Sequence, residues 1–193
     1  PDRVSDLAGT FTEPLACCIR GVKRGNPLIG DTVVVVGVGV MGLMILQLLR
    51  MRGAPSVAID LRDDRLALAA ELGATYIANP KKDDVAGLIR EISNGLGCDL
   101  VFLTVVSPTI FEQALQYVRD GGTILIFGTK VEDAPISAKP WTLFSREITL
   151  TTSYSPSSIE LQEAVHLMQQ KAIKVEPLVS HQLPFEAFDQ ALT

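Results

Sequence analysis

Three glycines lie at a spacing that suits the binding of a diphosphate. Gly37, Gly39 and Gly42 form a G-x-G-x-x-G pattern directly after the run Val33–Val36, which is typical of a buried strand. In this pattern the first glycine permits a tight turn, the second lets backbone approach a pyrophosphate, and the third lets helix and strand pack closely. The helix that follows directs free N–H groups and a positive dipole at the phosphates. The spacing therefore predicts a nucleotide phosphate site.

An acidic residue follows at the distance expected for the sugar of a dinucleotide. Asp60 ends the next predicted strand, 23 residues after Gly37, where a carboxylate can accept hydrogen bonds from both ribose hydroxyls of adenosine. A carboxylate at this position repels a 2′-phosphate, so NAD is favoured over NADP. Arg62 and Arg65 keep NADP open as an alternative, because a guanidinium can pair with that phosphate.

Alternating strands and helices must position these residues. The patterns predict helices over Val40–Arg52 and from Asp63 to Leu72, and further helices around Val85–Ile92, Phe111–Val118 and Leu161–Met168. Strands are predicted at Val33–Val36, Ser56–Asp60, Thr75–Ala78, Leu100–Val106, Thr123–Phe127 and Ile148–Thr151, the last near a sheet edge. This alternation predicts an α/β fold, a doubly wound six-stranded parallel sheet of the Rossmann type with helices on both faces.

Composition excludes several classes of function. The chain has 193 residues and a net charge of −5, with no basic stripe, which argues against nucleic-acid and anionic-membrane partners. The uncharged stretch from Thr32 to Leu49 is interrupted by glycines, which favours a strand followed by a buried helix over a membrane helix. Three scattered cysteines favour a reducing compartment, so we predict a cytoplasmic protein.

Other classes of protein share parts of this pattern. A glycine-rich turn also occurs in unrelated doubly wound proteins. A methyltransferase carries the glycines and the later acid, but it usually has an acid leading into the glycines, and Val33–Val36 offers none. A non-catalytic module that senses NAD would use the same fold and stays an alternative.

Four further segments carry a family resemblance. They are Thr12-Glu13-Pro14-Leu15-Ala16-Cys17, Glu71-Leu72-Gly73-Ala74-Thr75, Gly121-Gly122-Thr123 and Ser180-His181-Gln182-Leu183-Pro184-Phe185. Together with the glycine turn, they make essentially the whole chain resemble the zinc-dependent medium-chain alcohol dehydrogenases, in particular the polyol branch with sorbitol and threonine dehydrogenases. The resemblance implies that residues 1–30 are a lead-in helix from a separate catalytic domain, 31–178 the dinucleotide-binding domain, and 179–193 the start of the return.

The resemblance also implies roles for single residues. Glu13 falls where the family places its last catalytic zinc ligand, and Cys17 falls close to the nicotinamide. Asp60 and Arg65 match the pair that holds the adenosine ribose. The full set of implied cofactor contacts is Gly37, Gly39, Val40, Met41, Gly42, Asp60, Arg65, Thr104, Val105, Phe127, Gly128, Thr152 and Ser153. Val106 departs from the family, which usually has glycine there.

The implied function is that of an oxidoreductase with zinc and NAD as cofactors. Such an enzyme transfers hydride between a secondary alcohol or polyol and NAD, and this chain alone would be inactive because other zinc ligands belong to the separate domain. A quinone reductase relative would lack Glu13. His166 and His181 are interpreted as structural. The family pairs through the edge near Pro135–Ala138, which predicts a homodimer or homotetramer.

Overall fold

The computed structural model describes residues 4–128 and 135–191. Its centre is one six-stranded sheet in which every neighbouring pair is parallel. The strand order is 3-2-1-4-5-6, the arrangement of a doubly wound dinucleotide-binding fold, as predicted. The strands are β1 Val33–Val36, β2 Ser56–Ile59, β3 Tyr76–Ala78, β4 Cys98–Leu103, β5 Val118–Ile126 and β6 Thr149–Thr152.

Helices cover both faces of the sheet. They are α1 Asp6–Gly9, α2 Thr12–Gly25, α3 Val40–Met51, α4 Asp63–Leu72, α5 Val85–Ile92, α6 Pro108–Tyr117, α7 Pro140–Ser145, α8 Ser158–Gln169 and α9 Phe188–Ala191. Short 3₁₀ helices occupy Glu176–Leu178 and Phe185–Ala187. One core lies under α2, α3, α4 and α8, and the other lies under α5 and α6.

The run Val33–Val36 forms a buried strand, as predicted, because β1 lies in the middle of the sheet. Val33 and Val35 point into one core and Val34 and Val36 into the other, and all four are buried. β1 pairs with β2 on one side and with β4 on the other, so both of its faces and both of its edges are covered. This is the physical reason why β1 has no polar position.

Two strand boundaries differ from the prediction by three residues or more, and the others by two at most. β4 ends at Leu103 instead of Val106, because the chain turns away there and Ser107 caps the start of α6. β5 begins at Val118 instead of Thr123, because Cys98 pairs with Val118 before the register shifts and Leu100 pairs with Thr123. The predicted turn Asp120-Gly121-Gly122 lies inside this irregularity. β6 lies at the sheet edge, as predicted.

The lead-in segment is packed into the domain. Leu15, Ala16 and Cys18 of α2 are fully buried in the same core as β1 and α3. Residues 1–3 and 192–193, the ends of the predicted first and last segments, lie outside the described residues, and the division at 30/31 and 178/179 stays a prediction. Within the described ranges, no helix has both the length and the apolar character that a bilayer crossing requires.

Candidate functional site

A cleft of about 630 Å³ opens where β1, β2 and β4 end. The order of the strands reverses between β1 and β4, and in open α/β sheets this edge is where ligands bind. Nine of the thirteen residues predicted to contact a cofactor line the cleft: Gly37, Gly39, Val40, Met41, Gly42, Asp60, Arg65, Thr104 and Val105.

Gly37 makes the turn out of β1 in a conformation that suits glycine. Its φ is +88°, and a Cβ at this position would collide with the Thr104 side chain. The Thr104 hydroxyl lies 2.7 Å from the Gly37 carbonyl oxygen and 3.0 Å from that of Val36, so it donates to this pair. The end of β4 therefore holds the turn in place.

Gly42 and Gly39 are small for two different reasons. A Cβ on Gly42 would run into the carbonyl oxygen of Gly37, so this glycine allows α3 to pack against the turn. A Cβ on Gly39 would meet only Arg65 Nη1, at 3.9 Å, and would otherwise project into open space. Gly39 is the N-cap residue directly before α3, whose first-turn N–H groups have no partner within the helix. The space over Gly39 is thus open to a ligand.

Asp60 lies almost buried at the floor of this cleft. Its Oδ2 accepts a hydrogen bond from the Val38 backbone N–H at 2.9 Å, and its Oδ1 accepts one from the Arg62 N–H at 3.0 Å. Arg65 Nη1 lies 3.7 Å from Oδ2. The carboxylate therefore ties the glycine turn to the end of β2, besides being available for a ribose.

The two arginines beside Asp60 differ in their partners. Arg62 directs its guanidinium at Asp64 through a two-pronged contact, with Nε at 3.0 Å and Nη2 at 2.5 Å from the carboxylate oxygens. This ion pair raises the pKa of Arg62 and lowers the pKa of Asp64. Arg65 has only the longer contact with Asp60 and is the nearer cation to the Gly39 space.

Four predicted cofactor contacts lie outside the cleft. The Phe127 ring packs edge-on against Phe102, and Gly128 lies against the Thr104 carbonyl. Thr152 and Ser153, at the end of β6, line a separate cavity of about 370 Å³. None of the four lines the cleft itself, although Gly128 contacts Thr104, which does.

Glu13 and Cys17 face each other on the first turns of α2. Glu13 is exposed, and the Cys17 thiol donates a hydrogen bond to its Oε1 at 3.1 Å. Burial, with the Glu13 hydrogen bond and charge, raises the pKa of Cys17 to about 11. The thiol of the next residue, Cys18, contacts the Met41 carbonyl at 3.5 Å and so connects α2 to the start of α3.

Among the residues that the structure describes, the donor set for a zinc ion is incomplete. Structural and catalytic zinc sites use three or four protein ligands. No three His, Cys, Asp or Glu side chains come together in this part of the chain, so the described residues do not complete a zinc site around Glu13. The three free cysteines are all buried, and burial raises the pKa of each thiol.

Several residues of the cleft were missed by the sequence analysis. They are Val36, Ile59, Leu61, Pro80, Lys81, Ile110 and Gln113. Pro80 and Lys81 lie two and three residues after the end of β3. Residues that follow the carboxyl ends of parallel strands meet at the ligand-binding edge. That signal was available in the sequence, whereas the places of Ile110 and Gln113 depend on how α6 packs.

Comparisons with known proteins extend this picture. The sequence model of a protein family described as zinc-binding dehydrogenase matches residues 40–170. D-arabitol-phosphate dehydrogenase of Enterococcus avium is 30% identical over 202 residues, covering 100% of this chain and 56% of the relative. L-threonine 3-dehydrogenase of Caldanaerobacter subterraneus is 30% identical over 186 residues, covering 95% of this chain and 53% of the relative.

A solved structure agrees with the fold. A dehydrogenase of the zinc-binding type from Sinorhizobium meliloti 1021, bound to NADP, superposes with a TM-score of 0.86 at 28% identity. The alignment covers 93% of this chain and 53% of that one. The chain thus spans about half the length of the relatives it matches.

Proposed function

Because the chain belongs to the zinc-binding dehydrogenase family, as the resemblance predicted, we propose that it binds the nicotinamide dinucleotide of an oxidoreductase. The full enzyme would transfer hydride between a secondary alcohol or polyol and NAD. The observation that carries the proposal is the open space over Gly39, at the N-terminus of α3 and beside the Asp60 carboxylate. This arrangement fits a diphosphate followed by a ribose.

Each part of the cleft has a task in this proposal. The first-turn N–H groups of α3 would bind the diphosphate, and Asp60 would orient the adenosine ribose. The side chains of Val105 and Ile110 line the cleft and would exclude water from the bound dinucleotide. The nicotinamide, when bound, accepts or donates the hydride. This chain contributes binding and orientation.

We propose that NAD is preferred over NADP. The Asp60 carboxylate would repel a 2′-phosphate, and Arg62, the first candidate to neutralise it, is already paired with Asp64. Arg65 could still pair with a 2′-phosphate. Because a similar structure was solved with NADP bound, the relative affinity of this chain for NAD and NADP is the property to test.

The test is to titrate the protein with NADH and NADPH by calorimetry, as wild type and as Asp60→Ser. We expect wild type to bind NADH more tightly. The variant removes the repulsion and leaves Arg65 free, so the ratio of NADPH to NADH affinity should rise by roughly tenfold or more, about 1.4 kcal/mol.

Asp63→Asn is the matched control. Asp63 is an exposed carboxylate three residues further on; it pairs with Lys82 and does not line the cleft. Its substitution should leave the affinity ratio unchanged. An equal ratio in wild type and Asp60→Ser would contradict the cofactor preference, and the absence of binding by wild type to either coenzyme would contradict the proposed function itself.

A zinc ion is the second cofactor in this proposal. Glu13 would supply one ligand, and the others would come from residues beyond the described ones, since these hold no cluster of three ligands. The alternative is a non-catalytic NAD sensor. A sensor has no use for a zinc-ligand carboxylate at the start of α2, and this favours the enzyme.

Assembly and location are also proposals. We infer a homodimer or homotetramer, because β6 leaves an open sheet edge with Leu150 partly exposed. The predicted pairing segment Pro135–Ala138 contains no strand. Sedimentation of the full-length protein as a monomer would contradict the proposed homodimer or homotetramer. The buried free thiols suit the cytoplasmic location proposed from the cysteine content.

A further inference from the structure

Asn79 is a buried polar residue at the carboxyl edge of the sheet, and it is not among the proposed coenzyme contacts. It directly follows β3 and is 3% exposed. Its Nδ2 donates to the Leu61 carbonyl oxygen at 3.1 Å and to Asp63 Oδ1 at 2.8 Å. Its Oδ1 accepts a hydrogen bond from the Lys81 N–H at 3.1 Å. Two acceptors beside Nδ2 and one donor beside Oδ1 fix the orientation of this amide.

These hydrogen bonds join two loops that form the cleft. Leu61 belongs to the loop between β2 and α4, and Lys81 belongs to the loop between β3 and α5. Both residues line the cleft, whereas Asn79 does not. The same loops are also joined by the ion pair of Asp63 with Lys82, but both of its side chains are exposed and such pairs contribute little. The buried Asn79 amide is therefore expected to hold the two loops together more firmly than this ion pair.

One peptide group connects Asn79 with the carboxylate that faces the proposed ribose. The Leu61 carbonyl accepts from Asn79, and the Arg62 N–H of the same peptide group donates to Asp60 Oδ1 at 3.0 Å. Because a peptide group is planar, its oxygen and its N–H keep a fixed relative orientation. Oδ2 of Asp60 in turn accepts from the Val38 N–H at 2.9 Å. A continuous chain of hydrogen bonds therefore runs from Asn79 through Asp60 to the glycine turn.

This chain of hydrogen bonds limits the rotation of the Asp60 carboxylate. The last torsion of an aspartate side chain is otherwise broad, so a carboxylate without fixed partners samples many orientations. Hydrogen bonds to two adjacent ribose hydroxyls require one of these orientations, and a carboxylate already held in it loses less entropy on binding. Linked hydrogen bonds also polarise and strengthen one another. Asn79 can therefore affect coenzyme affinity without lining the cleft.

We propose that Asn79 is a positioning residue for the coenzyme, which orients the Asp60 carboxylate toward the adenosine ribose through the Leu61–Arg62 peptide. The proposal rests on the proposed function, in which Asp60 binds that ribose. It gives a residue after β3 a share in a contact that is made by a residue after β2. Loss of the Asn79 amide should therefore weaken the contact with the ribose hydroxyls in particular.

The test is to titrate the protein by calorimetry with NADH and with the NADH analogue that lacks the 2′-hydroxyl of the adenosine ribose. Wild type should bind NADH more tightly than the analogue by roughly tenfold or more, the usual effect of a hydrogen bond to a charged group. In Asn79→Ala the affinity for NADH should fall roughly fivefold, and the affinity for the analogue only about twofold, because the analogue keeps the 3′-hydroxyl alone. An equal loss for both ligands would overturn the proposal.

A double-mutant cycle with Asp60→Ser tests the route of the effect. When Asp60 is absent, Asn79→Ala should change the NADH affinity by less than about twofold. A loss of roughly fivefold in both backgrounds would overturn the proposal, since Asn79 would then act on the cleft walls without Asp60. Asn79→Asp keeps the size and the acceptor for the Lys81 N–H but loses the donor to Leu61. It should behave like Asn79→Ala and takes its place if the alanine variant does not fold.

Thr75→Val is the matched control. Thr75 directly precedes β3, and its Oγ1 accepts a hydrogen bond from the N–H of Ser56, the first residue of β2, at 3.1 Å. The variant removes a hydrogen bond from side chain to backbone at the opposite edge of the same two strands. It should keep the wild-type affinity for NADH and the preference over the analogue. A loss of preference as large as that in Asn79→Ala would assign the effect to a general loosening of β2 and β3, and would overturn the proposal.

The wild-type titrations separate this inference from the proposed function. A wild type that binds neither NADH nor the analogue overturns the proposed function and, with it, the role of Asn79. A wild type that binds both ligands with equal affinity leaves the coenzyme cleft in place. It overturns only the inference, because the ribose hydroxyl then makes no contact that Asn79 could position.

Discussion

At the scale of single residues, the two glycines at the start of α3 make different demands on the fold and on the ligand. Gly42 is required by the protein itself, since a Cβ there meets the Gly37 carbonyl oxygen. Gly39 faces open space, and serine is a favoured residue at the position that begins a helix. Substitution of the two glycines should therefore separate stability from binding.

We expect Gly42→Ser to lower the free energy of unfolding by about 1–3 kcal/mol, because of overpacking. Gly39→Ser should leave it unchanged or raise it by up to about 1 kcal/mol, through the capping hydroxyl. The same hydroxyl would occupy the N–H groups that face the diphosphate, so the affinity for NADH should fall roughly tenfold or more. Thermal denaturation and calorimetry measure the two effects.

Gly9→Ser is the control for this pair. Gly9 ends α1, and a Cβ there meets nothing within 4 Å. This variant should keep wild-type NADH affinity. If Gly39→Ser binds NADH as tightly as wild type does, the diphosphate does not lie over Gly39.

Residue types and spacing predicted the glycine turn and the position of Asp60 at a strand end. In dinucleotide-binding folds the first strand, the glycine turn and the acidic residue follow one another at nearly fixed distances in the sequence. They could not predict that Asp60 binds the Val38 N–H, or that Arg62 turns to Asp64. Those partners depend on side-chain rotamers and on the approach of β1 to β2. The Ser153 hydroxyl has no hydrogen-bond partner among the described residues, and this too follows from packing alone.

At the scale of elements, α8 holds the lead-in helix through one carboxylate. Glu160 is buried and completes a capping box with Ser157 at the start of α8. It also accepts a hydrogen bond from Lys23 of α2 at 3.1 Å. Hydrogen bonds from the Ser157 hydroxyl and backbone N–H, followed by Lys23, lower the pKa of Glu160 to about 2.

This lowered pKa makes part of the stability dependent on pH. Because the pKa is lower in the folded chain than in the unfolded one, the contribution is complete above about 4.5 and is lost as pH falls toward about 2. Glu160→Gln should lower the free energy of unfolding at pH 7 by about 1 kcal/mol, a typical capping effect. The difference from wild type should shrink as pH falls through that interval.

Glu163→Gln is the comparison for this prediction. Glu163 is more exposed and contacts Lys23 without joining the cap. An exposed ion pair contributes about 0.5 kcal/mol or less, so this variant should stay close to wild type. Urea unfolding between pH 2 and pH 7 measures both variants, and a pH-independent effect of Glu160→Gln would contradict the assignment.

Element types were predictable because the hydrophobic period differs between the central strands and the helices. The bounds of β4 and β5 were not, because they follow from pairing. Val105 and Val106 have strand-forming side chains. The neighbouring strands β1 and β5, however, end at the residues that pair with Leu103, so no strand is left to pair with the two valines. The early start of β5 depends on the pairing of Cys98 with Val118, which local sequence does not reveal.

At the scale of the whole molecule, α2 connects the cofactor cleft to the proposed metal centre. The helix carries the exposed Glu13 in its first turn, is buried through Leu15 and Cys18, and contacts α3 through the Met41 carbonyl. Its position therefore fixes Glu13 relative to the glycine turn. In the proposed full-length enzyme, this carboxylate would supply one ligand of the zinc site.

Removal of the Glu13 carboxylate in the full-length protein should separate zinc from coenzyme. In Glu13→Ala we expect bound zinc, measured by atomic absorption, to fall below the wild-type stoichiometry and turnover of polyol to fall by about tenfold or more. The affinity for NADH should stay unchanged, because Glu13 does not line the cleft. Asp6→Ala removes another exposed carboxylate of the lead-in segment and should retain zinc. Full zinc content and turnover in Glu13→Ala would exclude Glu13 as a ligand and would leave the coenzyme cleft, which rests on separate residues, intact.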